Sequence, residues 1–197
     1  MLHAIIQWLV ETIGTLGYPG IVLLMGLESS FFPFPSEVVM VPAGYLASQN
    51  EMSLVLVIAS GVAGSLLGAW LNYCIALKVG RAALLKWGHR IFLPEQKFLK
   101  VEKYLVEHGE IGTFIGRLIP VIRQYISFPA GVIKMNFIRF SLFTAFGAGL
   151  WVTILTLIGY YVGENEELVT QWSKSALCWV LLLGAAIVIL YWKLRKR

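Results

Sequence analysis

The chain contains no aspartate; all eleven of its acidic residues are glutamate. It is poor in charge of either sign, at 14% against the roughly 25% of soluble domains. With 58% apolar residues and a mean hydropathy of +0.75, that shortage excludes an ordinary soluble domain and points to an integral membrane protein. Cysteine is nearly absent. Cys74 and Cys178 both fall in apolar runs without Cys-x-x-Cys or Cys/His spacing, so neither a disulfide framework nor a metal site is expected, only buried thiols. No lysine or arginine precedes Lys78, and no small-residue cleavage site follows the first apolar stretch, which argues against a removable signal peptide. The net charge of +5 would suit nucleic acid if its carriers lined one face. They gather instead at the ends of apolar segments, a topology signal, so no nucleic-acid partner is expected.

What the chain does have is charge in the wrong places. Gly116-Arg117-Leu118-Ile119-Pro120-Val121-Ile122-Arg123, running on to Phe128-Pro129-Ala130-Gly131, sets two arginines and two prolines into the apolar run 111–135. A guanidinium at the bilayer centre costs at least ~2.5–3.5 kcal/mol, so intramembrane arginines face a cavity or a partner. A stretch of opposite sign lies upstream, from Glu28 through Pro33, Pro35 and Glu37 to Pro42-Ala43-Gly44. The two stretches are expected to meet.

Taken in order, residues 2–16 carry apolar residues at helical spacing and form an interfacial helix too short to cross a ~30 Å core. Prolines interrupt 19–47, which reads as a re-entrant hairpin with its tip near Phe32–Pro35. Residues 54–79 span the membrane, with Gly61, Gly64, Ser65 and Gly68 leaving a smooth packing face and Asn72 forming an interhelical hydrogen bond. Residues 81–110 turn polar; Phe98, Val101 and Leu105 share one face of a basic helix expected to lie on the cytoplasmic leaflet. A second hairpin at 111–135 and spans at 137–162 and 174–192 follow.

Lys193, Arg195, Lys196 and Arg197 place the C-terminus in the cytoplasm. If 111–135 crossed once, the basic loop before it would lie outside. If it enters and returns, 13 of the 16 basic residues are cytoplasmic, with Lys174 outside and Arg117 and Arg123 buried. The Pro-Ala-Gly motif recurs 87 residues apart, each copy followed by a Gly-rich span bearing Gly68-Ala69-Trp70 or Gly149-Leu150-Trp151. The expected fold is therefore an all-α membrane protein: an inverted repeat of two re-entrant hairpins, each followed by a transmembrane helix, plus amphipathic helices and a C-terminal transmembrane helix.

Glu28 with Pro33-Phe34-Pro35-Ser36-Glu37, and Phe114–Arg123 followed by Gly131 and Met135, resemble the DedA family of VTT-domain membrane proteins over about residues 15–165. Ser36 is a departure, since many members of that family have glycine before the acidic residue. The resemblance implies a multi-pass lipid transporter of the bacterial cytoplasmic membrane. Its cargo would be undecaprenyl phosphate, returned from the outer to the inner leaflet, with the proton gradient as a family theme. It also implies that Arg117 and Arg123 act on substrate and that Glu28 and Glu37 form the acidic pair. The chemistry suits this, because a guanidinium fork matches phosphate oxygens and keeps its charge in a dry site. Pro33, Pro35, Pro42, Pro120, Pro129 and Gly131 would shape the hairpins. Partners would be a polyprenyl phosphate or another anionic lipid, and a homo-oligomer is compatible. A non-selective phospholipid scramblase and a proton- or cation-coupled exporter of small solutes stay open, as does a purely structural ion cluster. Catalysis is not expected: His3, His89 and His108 lie outside both hairpins, no HExxH, Gly-x-Ser-x-Gly or Walker pattern occurs, and no cofactor is implied.

Overall fold

A computed structural model describes residues 2–30, 35–87 and 95–162, together with 175, 178 and 182. Pro33, most of the expected tip at Phe32–Pro35, His89 and all but three positions of the span at 174–192 lie outside the described residues.

The described residues are helical. Helix α1 (Leu2–Glu28) is broken at Gly17, whose φ of 60° only glycine adopts cheaply, so the chain breaks directly after the segment 2–16 expected to be a separate helix. Helix α2 (Glu37–Ser48) returns from the turn after Glu28. Helix α3 (Leu54–Trp87) bends at Gly80, and its apolar part, Leu54–Gly80, is 27 residues. At 1.5 Å per residue that is about 40 Å, enough to cross a bilayer with tilt. Helix α4 (Glu95–Leu118) bends at Gly109, with φ of 54°. Two short helices follow, α5 (Pro120–Tyr125) and α6 (Ser127–Val132), and then α7 (Phe137–Val162), the second helix long and apolar enough to span.

The two halves repeat the same backbone punctuation. A glycine at positive φ, Gly17 or Gly109, opens the first arm of each helical hairpin. The second arm of each ends at a non-glycine residue at positive φ, Asn50 or Lys134. Glu51 N–H donates to the Leu46 carbonyl and Met135 N–H to the Ala130 carbonyl, at 3.1 and 3.0 Å, closing the same kind of helix stop in both halves. The arms then exchange partners. First arms stay at home: α1 packs on α3, where a Cβ on Gly64 or Gly68 would meet α1 backbone, and α4 packs on α7 at Gly147. Second arms cross over. A Cβ on Gly44 of α2 would strike the Thr156 carbonyl of α7, and one on Gly131 of α6 the Tyr73 carbonyl of α3.

Two expectations change here. Val101 and Leu105 do not lie on a lipid leaflet: Leu105 is 1% exposed and packs with Tyr73, Ile126 and Phe140, while Lys100 and Lys103 stay exposed. An amphipathic face fits a protein groove as well as a membrane surface, and here protein covers it. Cys74 and Cys178 are free, as expected, but exposed rather than buried. A membrane protein has an apolar outside, also seen in Val55, Ile138 and Phe146, so an apolar setting did not mean an interior one.

Candidate functional site

The C-terminus of α1, α3 at Ser65, the tip between α4 and α5, and the middle of α7 converge on one small cavity with charged walls. Met25, Glu28, Ser65, Arg117, Arg123 and Trp151 are among its walls. In the apolar interior such a cluster persists only where its members satisfy one another.

Glu28 is the last residue of α1 and 3% exposed. A carboxylate there faces the negative end of the helix dipole and needs a cation close by. Arg123 supplies it, pairing with Glu28 Oε1 through Nη2. The same Nη2 donates to Ser36 Oγ at 2.9 Å, and Ser29 Oγ donates to Glu28 Oε2 at 2.9 Å. Trp151 Nε1 also donates to Ser36 Oγ, at 3.1 Å, so both acceptor positions of that hydroxyl are taken. Asn72, fully buried, donates from Nδ2 to the Ser29 and Ser30 carbonyls at 3.1 and 2.9 Å, fixing the chain just beyond Glu28. The hydrogen bond expected between helices thus runs from α3 to the turn that follows α1.

Arg117 is different. It is 4% exposed in the last turn of α4, and its Nη2 donates to Ser127 Oγ at 2.7 Å. Among the described residues it makes no ion pair, and its Nε–H has no acceptor; the Nε–H of Arg123 is likewise unpartnered. Glu28 balances one guanidinium of two, so the cluster carries one uncompensated positive charge. The cavity measures about 20 Å³, room for a single water and not for a phosphate group.

Of the residues singled out by sequence, Glu28, Arg117 and Arg123 come together. Glu37 does not join them. It sits half-buried in the first turn of α2, favourable for a carboxylate, and pairs with neither arginine among the described residues. Pro35 lies in the turn before α2 and Pro120 opens α5, while Pro42 and Pro129 lie inside α2 and α6, one turn or less from Gly44 and Gly131. His108 stacks on Tyr104 with ring centres 4.7 Å apart, in the part of α4 that precedes Gly109. Among the described residues no His/Cys/Glu cluster would hold a metal.

Sequence reasoning passed over Ser127, and it treated Ser36 and Trp151 as a family departure and a repeat marker. For the two serines a signal was present, since Ser36 adjoins Glu37 and Ser127 follows Arg123 by four positions in apolar runs; no charge stands near Trp151 in the sequence.

The VTT domain family model matches residues 34–161. The chain is 32% identical over 194 residues to the uncharacterized membrane protein YkoX of Bacillus subtilis, covering 98% of this chain and 85% of that one. It is 26% identical to undecaprenyl phosphate transporter A of Bacillus subtilis, covering 100% and 96%. It is 30% identical to an alkaline phosphatase-like protein of Lactococcus lactis, covering 92% and 87%. No solved structure matches.

Proposed function

The chain belongs to the VTT-domain (DedA) family, and we propose that within it this protein carries undecaprenyl phosphate from the outer to the inner leaflet of the bacterial cytoplasmic membrane. The observation that carries this reading is Arg117: a buried guanidinium that makes no ion pair among the described residues and whose Nε–H has no acceptor there. An uncompensated buried cation is costly, and a phosphate lipid supplies the charge it lacks.

The head group would bind Arg117 first and then compete with Glu28 for Arg123. A carboxylate displaced in a dry site takes up a proton, which ties head-group binding to proton uptake. Glu37 at the start of α2 is the second acidic group of this half and would receive or release that proton. The closed cavity requires the hairpins to part before a phosphate enters. In this reading they are re-entrant and open to opposite faces, the glutamate hairpin outward and the arginine hairpin to the cytoplasm, where the C-terminus also lies. Moving one charge through 100 mV is worth ~2.3 kcal/mol, so the proton taken up sets whether the potential aids return. The reading involves no bond-breaking step.

Reconstitution in liposomes with acid outside tests this, following leaflet exposure of undecaprenyl phosphate against phosphatidylglycerol. The phosphate lipid should cross faster with the gradient than without it, and phosphatidylglycerol should not cross. Equal movement of both lipids would identify a scramblase, and movement of neither would overturn lipid transport.

A further inference from the structure

Beside the arginine cavity, on the outer face of the α4–α7 seam, lies a groove of about 630 Å³ lined by Phe114, Phe143, Phe146, Leu150 and Thr153. That volume is in the range of ligand sites. The groove walls are almost wholly apolar, with Thr153 supplying the one side-chain hydroxyl. Phe146 is 68% exposed, so the groove is open to the outside at that wall.

Its position relates it to the site. Phe114 and Arg117 are one turn apart on α4, so the groove and the unpaired guanidinium share one helix segment. On α7 the same adjacency repeats: Ala148, Trp151 and Val152 wall the arginine cavity, while Gly149, Leu150 and Thr153 wall the groove. Gly147 lets the seam close tightly between them, for a Cβ there would meet Arg117 Cβ at 2.6 Å and the Phe114 carbonyl at 3.3 Å. Facing the seam from α7 is Thr144, fully buried with its hydroxyl unpartnered, three residues before Gly147. The seam thus has a polar inner side with unmet hydrogen bonds and an apolar, concave outer side. That is the cross-section of a single-headed lipid.

We propose that this groove binds the hydrocarbon chain of the phosphate lipid whose head group occupies Arg117. The chain then runs along protein rather than loose bilayer, and its fit selects long isoprenoid phosphates over free phosphate. This rests on the function proposed above. A lipid with its phosphate at Arg117 has its first carbons at the seam beside Phe114, which favours that lipid's own chain over bulk acyl chains or a second copy of the protein.

The test fills the groove. Ala145→Trp and Thr153→Trp add bulk to its walls, and Leu71→Trp adds equal bulk to a half-exposed position on α3. Binding of undecaprenyl phosphate and of geranyl phosphate is measured in micelles for each. Both groove variants should bind the long lipid about fivefold more weakly, near 1 kcal/mol, and geranyl phosphate unchanged. Leu71→Trp should alter neither. Unchanged long-chain binding in both groove variants, or an equal loss in Leu71→Trp, overturns the groove assignment while phosphate binding stands. If the unaltered protein binds neither phosphate, the function reading fails and the groove assignment with it. As a check independent of affinity, a photoreactive polyprenyl phosphate should label α7 between Phe143 and Thr153 in preference to α3; uniform labelling contradicts the proposal.

Discussion

The two hairpins use one backbone plan to carry opposite chemistry. Gly17 answers to Gly109, Asn50 to Lys134, and Gly44 to Gly131, each pair in the same structural role. At the tips the likeness stops. The first hairpin offers Glu28, Ser36 and Glu37; the second offers Arg117, Arg123 and Ser127. Their tryptophans diverge as well: Trp151 donates into the site, to Ser36, whereas Trp70 donates to Ser141 at 2.9 Å near the start of α7. Backbone features and close-packed glycines hold the frame, and the frame tolerates unlike charges at its centre. Glu28 of the glutamate half is paired with Arg123, and among the described residues Glu37 and Arg117 make no ion pair.

Breaking the shared pair should have the largest effect. Glu28→Ala leaves Arg123, with a side chain only 15% exposed, without its carboxylate. Losing one partner of a buried pair costs about 3 kcal/mol. Denaturant or thermal unfolding should register that loss, and Glu28→Gln, which keeps an acceptor, should lose less. The frame itself is tested by symmetry. Gly44→Ala and Gly131→Ala each drive a methyl into backbone of the opposite span, at about 1–3 kcal/mol apiece, and the two losses should match. Gly149→Ala, whose methyl meets only Val62 at 3.7 Å, should be near neutral. Unequal losses at Gly44 and Gly131 would break the equivalence of the halves.

The smallest effect lies at the exposed start of α7. Arg139 Nη1 donates to Glu110 Oε1 at 2.8 Å, joining α4 just past its Gly109 bend to the start of α7. That hydrogen bond from Arg139 holds the Glu110 carboxyl below its usual range. A lowered folded value means the contribution is fully present above the unfolded carboxylate range and lost as pH falls through the lowered value. Arg139 is two-thirds exposed and the pair is screened, so the effect stays within about 0.5 kcal/mol. Melting temperature on acidification should fall slightly less for Glu110→Gln than for the unaltered protein.

Much of the frame was legible in the sequence. Gly44 and Gly131 of the two Pro-Ala-Gly copies, and Gly64 and Gly68 of the first Gly-rich span, each approach a neighbouring backbone closely, so these glycines marked packing faces. Misplaced charge was as readable: Glu28 and Arg123 are in contact across 95 positions of chain. Direction was harder to read. Whether Val101 and Leu105 meet lipid or protein, and whether Cys74 points in or out, depends on neighbours that hydropathy does not name. Nor does any motif state which arginine Glu28 selects. Only the geometry of α5 against the end of α1 leaves Arg117 as the unpaired one.

Arg117 is therefore the residue to change first. Arg117→Met keeps the length and apolar bulk while removing the uncompensated charge, and the measurement is paired: undecaprenyl phosphate affinity and thermal stability of the same purified protein. The account predicts at least tenfold weaker binding, the worth of one charged hydrogen bond of about 1.5–3 kcal/mol, with a melting temperature equal to or above that of the unaltered protein. Unchanged affinity with a sharply lower melting temperature would contradict it, and would make Arg117 a structural member of the ion cluster.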